Sequence, residues 1–165
     1  PIIGTTIPSK EETNMGLFSR PKPAEEAPLT PPISQERLID LFKERGWHYF
    51  VDSDGDLGGT WDYDQFYFML RGENKEILHI QSLWHLSVPM EKLEEARAFI
   101  REWHRTKLWP KAYHRINDEG VVRIFCENSI DWEHGATDAQ INQQVSCALG
   151  TASEFYRELG AALGM

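Results

Sequence analysis

The sequence is poor in cysteine: Cys126 and Cys147 are the only two in 165 residues. Two lone thiols do not make a disulfide framework. Each lies in an apolar segment and reads as a small buried hydrophobe, which suits a reducing cytoplasm; a single bridge between them stays open. No run of about 18 apolar residues occurs, which excludes a membrane-spanning helix. No charged start, apolar stretch and small-residue cleavage site marks a secretory signal. Basic residues are the minority, 17 against 26 acidic, for a formal charge of −9. Such a chain repels a phosphate backbone, which argues against nucleic acid as a partner. Arg97, Arg101, Arg105, Lys107, Lys111 and Arg115 are its densest cations. They read as a solvated helix face and the loop after it.

Catalytic and metal-binding signatures are missing too. No Gly-x-Ser-x-Gly elbow is present, and Gly58-Gly59 lacks the Lys-Ser or Lys-Thr of a phosphate loop. Six histidines are scattered without zinc spacing. His79 and His85 sit six apart on an expected strand and should share a face. Asp52, Asp54 and Asp56 resemble a calcium loop, but glycine follows the second acid and position 63 is Tyr63 rather than a bidentate Glu. A turn with Asp-Gly chemistry is the better reading. Glu102/His104 and Glu133/His134 are ordinary neighbours. The expectation is therefore no catalytic residue, no cofactor and no metal.

What the chain does have is a proline-rich start. Seven of nine prolines fall in the first 32 residues, with no apolar periodicity. Residues 1–33 read as a flexible tail, and residues 34–165 as one domain. Met15-Gly16-Leu17-Phe18 looks like a natural start, so residues 1–14 read as an addition or leader.

Periodicity gives the rest. Ser34 caps a first helix that Gly46 stops. Trp47, Tyr49 and Val51 alternate as a short strand. Trp61 to Leu70 alternates through Phe66, Phe68 and Leu70, and Ile77 to Leu86 through Leu78, Ile80, Trp84 and Leu86, with a turn at Arg71–Asn74. Pro89 opens a helix whose stripe is Leu93, Ala96, Phe99, Ile100 and Trp103. A hairpin spans Lys111 to Glu127. Thr137-Asp138-Ala139-Gln140 is a capping box for the last helix. The order α-β-β-β-α-β-β-α, with short turns, predicts an α+β fold with an antiparallel sheet of about five strands and helices on one face.

Three segments carry a family likeness. Arg101 to Tyr113, with its Trp109-Pro110-Lys111, resembles the exit of the second helix in the YbjN family. The acidic turn Asp52–Asp56 and the start Gly135-Ala136-Thr137-Asp138-Ala139-Gln140 are similar to that family's turn and last helix. The likeness covers about Ser34 to Leu163, and the Trp-Pro-Lys form is most similar to actinobacterial members. The family often has Asn where this chain has Glu102 or His104. The resemblance implies a type III secretion chaperone-like fold, a regulator in sensory transduction, and no known catalytic residues.

Six tryptophans are many for so small a domain. Most should be core, but Trp61, Tyr67, Trp84, Trp103 and Trp109 are the candidates for an aromatic partner-binding surface. The leading expectation is a cytoplasmic, non-enzymatic binding or regulatory protein with an unidentified protein partner. The alternatives are an accessory subunit of an assembly and a small enzyme with a Glu/His site. Tyr67 and Met69 lie opposite Phe66, Phe68 and Leu70, so one helix layer cannot cover both sheet faces, and a homodimer is expected.

Overall fold

The computed structural model describes residues 30–165, so the expected tail lies outside the described residues apart from Thr30 to Ile33. Ser34 accepts the Arg37 amide at 3.3 Å and starts α1, Gln35–Glu44. Gly46 ends that helix at φ +66°, a conformation free of strain only for glycine. Leu38 and Phe42 are its fully buried residues.

Six strands follow in one antiparallel sheet: β1 Phe50–Val51, β2 Leu57–Trp61, β3 Asp64–Arg71, β4 Ile77–Val88, β5 Lys111–Ile116 and β6 Val122–Asp131. Their spatial order is β1-β2-β3-β4-β6-β5. The helix α2, Leu93–Thr106, connects β4 to β5 after a 3-10 turn at Met90–Lys92. The last helix, α3, covers Asp138–Leu163 behind its capping box, with both reciprocal bonds formed between Thr137 and Gln140.

The sequence reading placed a strand from Trp61 to Leu70 and none at Leu57–Thr60; the structure adds β2 there and starts β3 at Asp64. Asp62 and Tyr63 have φ of 51° and 70°, a two-residue hairpin turn with both central residues left-handed. Such turns usually announce themselves with Asn-Gly; Asp-Tyr gives no such signal. Gly58 and Gly59 both lie in β2, where nothing larger fits. A Cβ on Gly58 would stand 2.4 Å from the Phe50 ring, and one on Gly59 2.5 Å from the Trp61 ring.

All helices pack on one sheet face. Leu57, Phe66, Phe68, Leu78, Ile80, Ile124 and Cys126 form that face and are almost fully buried. Phe42 stands edge-on to Phe68 at 4.9 Å, and Phe155 of α3 meets Trp103 of α2 at 5.1 Å. Each such ring contributes about 2 kcal/mol on leaving water. Cys126 and Cys147 are both free thiols. The opposite face has no helix over it among the described residues. It carries Tyr67, Met69, His79, Gln81, Phe125 and Glu127, mostly half-buried.

Asp52 closes the acidic turn by accepting the amides of Asp54 and Asp56 at 3.0 and 2.9 Å. Its carboxylate is spent on the turn itself, as the Asp-Gly reading requires.

Candidate functional site

Two places concentrate surface chemistry. The first is the corner where α2 gives way to β5. Leu108 is 86% exposed and Trp109 51%, adjacent apolar residues with no cover among the described residues. They stay fixed because Trp103, buried beneath, donates its indole N–H to the Trp109 carbonyl at 3.0 Å. His104 accepts the Ala112 amide at 3.0 Å and joins the helix end to β5. Pro110 is buried behind them. Lys107 pairs with Glu154 at 3.0 Å, and Lys111 with Glu127 at 2.9 Å. A concavity of about 440 Å³ runs beside Leu108, Trp109 and Pro110 to Asn128 and Ser129.

Glu127 is the electrostatic anchor of this corner. Burial alone would raise its pKa, but hydrogen bonds from Tyr113, Lys111 and Gln81 outweigh burial and hold it at about 2. The same contact acts in reverse on Tyr113. Burial first, then the bond to Glu127, pushes the phenol up to about 12. Beside them Asn128 is 5% exposed, and neither its Oδ1 nor its Nδ2 has a partner among the described residues. An orphaned buried amide costs about 1–3 kcal/mol of desolvation, which a chain seldom retains without a reason.

The second place is a cavity of about 410 Å³ between the β2–β3 turn, the end of β4 and the last turns of α3. Asp64, only 2% exposed, accepts both the backbone amide and the Nδ1 of His85, at 2.8 and 2.7 Å. Burial pushes the Asp64 carboxyl up, and the bonds from His85 pull it back. A bulge between Leu83 and Ser87 makes this possible. It also corrects the expectation that His79 and His85 share a face: His79 binds Ser129 on the open face, while His85 swings to Asp64. Deeper in, Trp84 stacks on Tyr156 at 5.9 Å, and the Tyr156 hydroxyl pairs with Ser82.

A buried carboxylate holding an imidazole is half of a nucleophilic triad. Ser153 lines the same cavity but lies mid-helix in α3, and no hydrogen bond joins it to His85. It lacks the strained elbow that activates a serine.

The five aromatics expected to make one surface are dispersed. Trp84 and Trp103 are 3% and 4% exposed, so both are corrected from surface to core. Their positions face inward, and their indoles fill the gap between sheet and helices. Trp61 is half-buried against Phe42, Trp47 and Phe66. Tyr67 lies on the open face beside Phe50 and takes a hydrogen bond from Gln65 at 3.1 Å. Trp109 alone of the five is exposed. Leu108, Asn128 and the Asp64–His85 pair were missed; exposure of a lone leucine and a bulge leave no trace in periodicity.

Residues 34–161 match the YbjN family, described as "Putative bacterial sensory transduction regulator". No curated protein matches the chain. Among solved structures, the chain is similar to YbjN, "a putative transcription regulator from E. coli", at TM-score 0.68 and 15% identity, over 78% of this chain and 92% of that one. It is also similar to an uncharacterized protein from Methanothermobacter thermautotrophicus, at TM-score 0.55 and 10% identity, over 79% and 99%. Likeness at these identities is a likeness of fold.

Proposed function

Because the chain belongs to the YbjN family, we propose that it is a non-enzymatic regulator that works by binding protein through the Leu108–Trp109 corner. The observation that carries this reading is the exposure of two adjacent large apolar residues on a rigid, cation-flanked rim beside a concavity. Hot spots are built from such aromatic anchors with charged residues at the edge. The first partner to test is a second copy, because the open sheet face has no helix over it among the described residues. The two free thiols support a cytoplasmic setting, and the charge of −9 supports a protein partner over nucleic acid.

The test is quantitative copurification from native cells. Wild type is compared with Leu108→Asp/Trp109→Ala and with Ile116→Asp, a distant exposed apolar control. The reading expects partners that the first variant loses and the control keeps. Identical partner sets for all three would overturn it. Light scattering of the same proteins adds the self-association arm: a dimer gives twice the 19.1 kDa chain mass.

A further inference from the structure

The cavity beside Trp84 is separate from the Leu108–Trp109 corner and has chemistry of its own. Its sheet wall presents hydrogen-bond acceptors. Asp62, in the β2–β3 turn, is exposed and makes no ion pair among the described residues. His85 lies beside it. His85 Nδ1 donates to the Asp64 carboxylate; a neutral ring so bonded has Nε2 as its acceptor, and Nε2 has no partner among the described residues. The helix wall presents a donor. Arg157 of α3 lines the cavity and is likewise without an ion pair among the described residues. Between the walls lie Trp84, Leu86 and the bare backbone of Gly160, where an added Cβ would come within 3.4 Å of the Trp84 ring.

A plain anion would meet Asp62, and a plain cation would meet Arg157. A ligand that carries both charges satisfies both walls. We propose that this cavity binds a free α-amino acid with an apolar side chain. Its ammonium goes to Asp62 and His85 Nε2, its carboxylate to the Arg157 guanidinium, and its side chain against Trp84 and Leu86. The volume of about 410 Å³ is in the range of pockets that enclose small ligands. Arginine suits the carboxylate because its planar fork can bind both oxygens. Asp64 acts as a positioning residue, since its two bonds to His85 aim the ring. The inference stands apart from the partner surface, so its failure leaves that reading intact.

The experiment is an amide and indole NMR titration of the full chain with three probes of one shape: L-phenylalanine, 3-phenylpropionate and phenethylamine. L-leucine serves as a second zwitterion. The zwitterions should shift the Trp84 indole and Gly160 amide signals and saturate, and loss of either charge should weaken binding by about tenfold or more. Arg157→Gln should reduce L-phenylalanine to the level of phenethylamine, and Asp62→Asn should reduce it to that of 3-phenylpropionate. Both residues are exposed, so both variants should keep the wild-type melting temperature. Equal binding of the three probes overturns the inference. So does a shift confined to signals outside the cavity, or no saturable shift with either zwitterion at about 10 mM.

Discussion

Replacing Glu127 with Gln removes one charge and almost no volume, which makes it the sharpest probe of the corner's electrostatics. Glu127 is 12% exposed, and its partner Lys111 is 70% exposed. Three donors hold the carboxyl at about 2 in the folded chain, against an ordinary value of 4.5. A carboxyl so displaced is worth about 3 kcal/mol at neutral pH by proton linkage. Lys111 is largely in water and its share is screened, so the expected effect of Glu127→Gln is about 2 kcal/mol. The sign follows from the depressed pKa. The stability is present above 4.5 and is lost as pH falls from 4.5 through about 2. Urea unfolding of wild type and variant, followed by tryptophan fluorescence at pH 7, 5 and 3, should show the gap widest at pH 7 and closing toward pH 3. A gap below about 0.5 kcal/mol at pH 7, or one that does not change with pH, would refute the reasoning.

The same pair makes an alkaline prediction. Tyr113 titrates at about 12 when folded, so its contribution is intact below 10 and lost as pH rises through 12. Tyrosinate absorbance should show two late phenols in wild type, Tyr113 and the more deeply buried Tyr156, of which only Tyr113 moves earlier in Glu127→Gln. Asn128→Leu removes the orphaned amide at similar volume and should raise stability by about 1 kcal/mol, measured by urea unfolding; a loss would mean that the amide is satisfied. Trp103→Phe deletes the N–H that holds the Trp109 carbonyl and should cost about 1–2 kcal/mol. Hydrogen exchange should also quicken at Lys107–Trp109. Gly58→Val drives a side chain into the Phe50 ring and should free β1, read as faster exchange at Phe50 and Val51, at a cost of about 1–2 kcal/mol.

Elements with strong local chemistry were legible. The caps at Ser34 and Thr137, the stop at Gly46 and the stripe of Ala96, Ile100 and Trp103 all appear where the sequence places them. So does the buried alternation of Phe66 and Phe68. Legibility failed where backbone geometry overrode pattern. Asp62 and Tyr63 adopt a turn that their side chains do not advertise, and so β2 was hidden. The bulge after Leu83 breaks the two-residue period, so His85 was assigned to the wrong side. The surface was the least legible part. A tryptophan's burial depends on what packs over it, and the same residue type fills the core at Trp84 and caps an exposed rim at Trp109. Asn128 sits at a core-facing position, where nothing in the pattern shows that its amide lacks partners.

The most direct test of the proposed partner surface puts a photoreactive amino acid in place of Trp109, with a second protein carrying it at Asn117 on an exposed turn as control. Both are irradiated in living cells. Binding through the corner predicts discrete adducts from position 109 that vanish when Leu108→Asp is added, with a species of twice the chain mass if the partner is a second copy. Adducts equal at positions 109 and 117, or adducts at 109 that persist with Leu108→Asp, would contradict the claim.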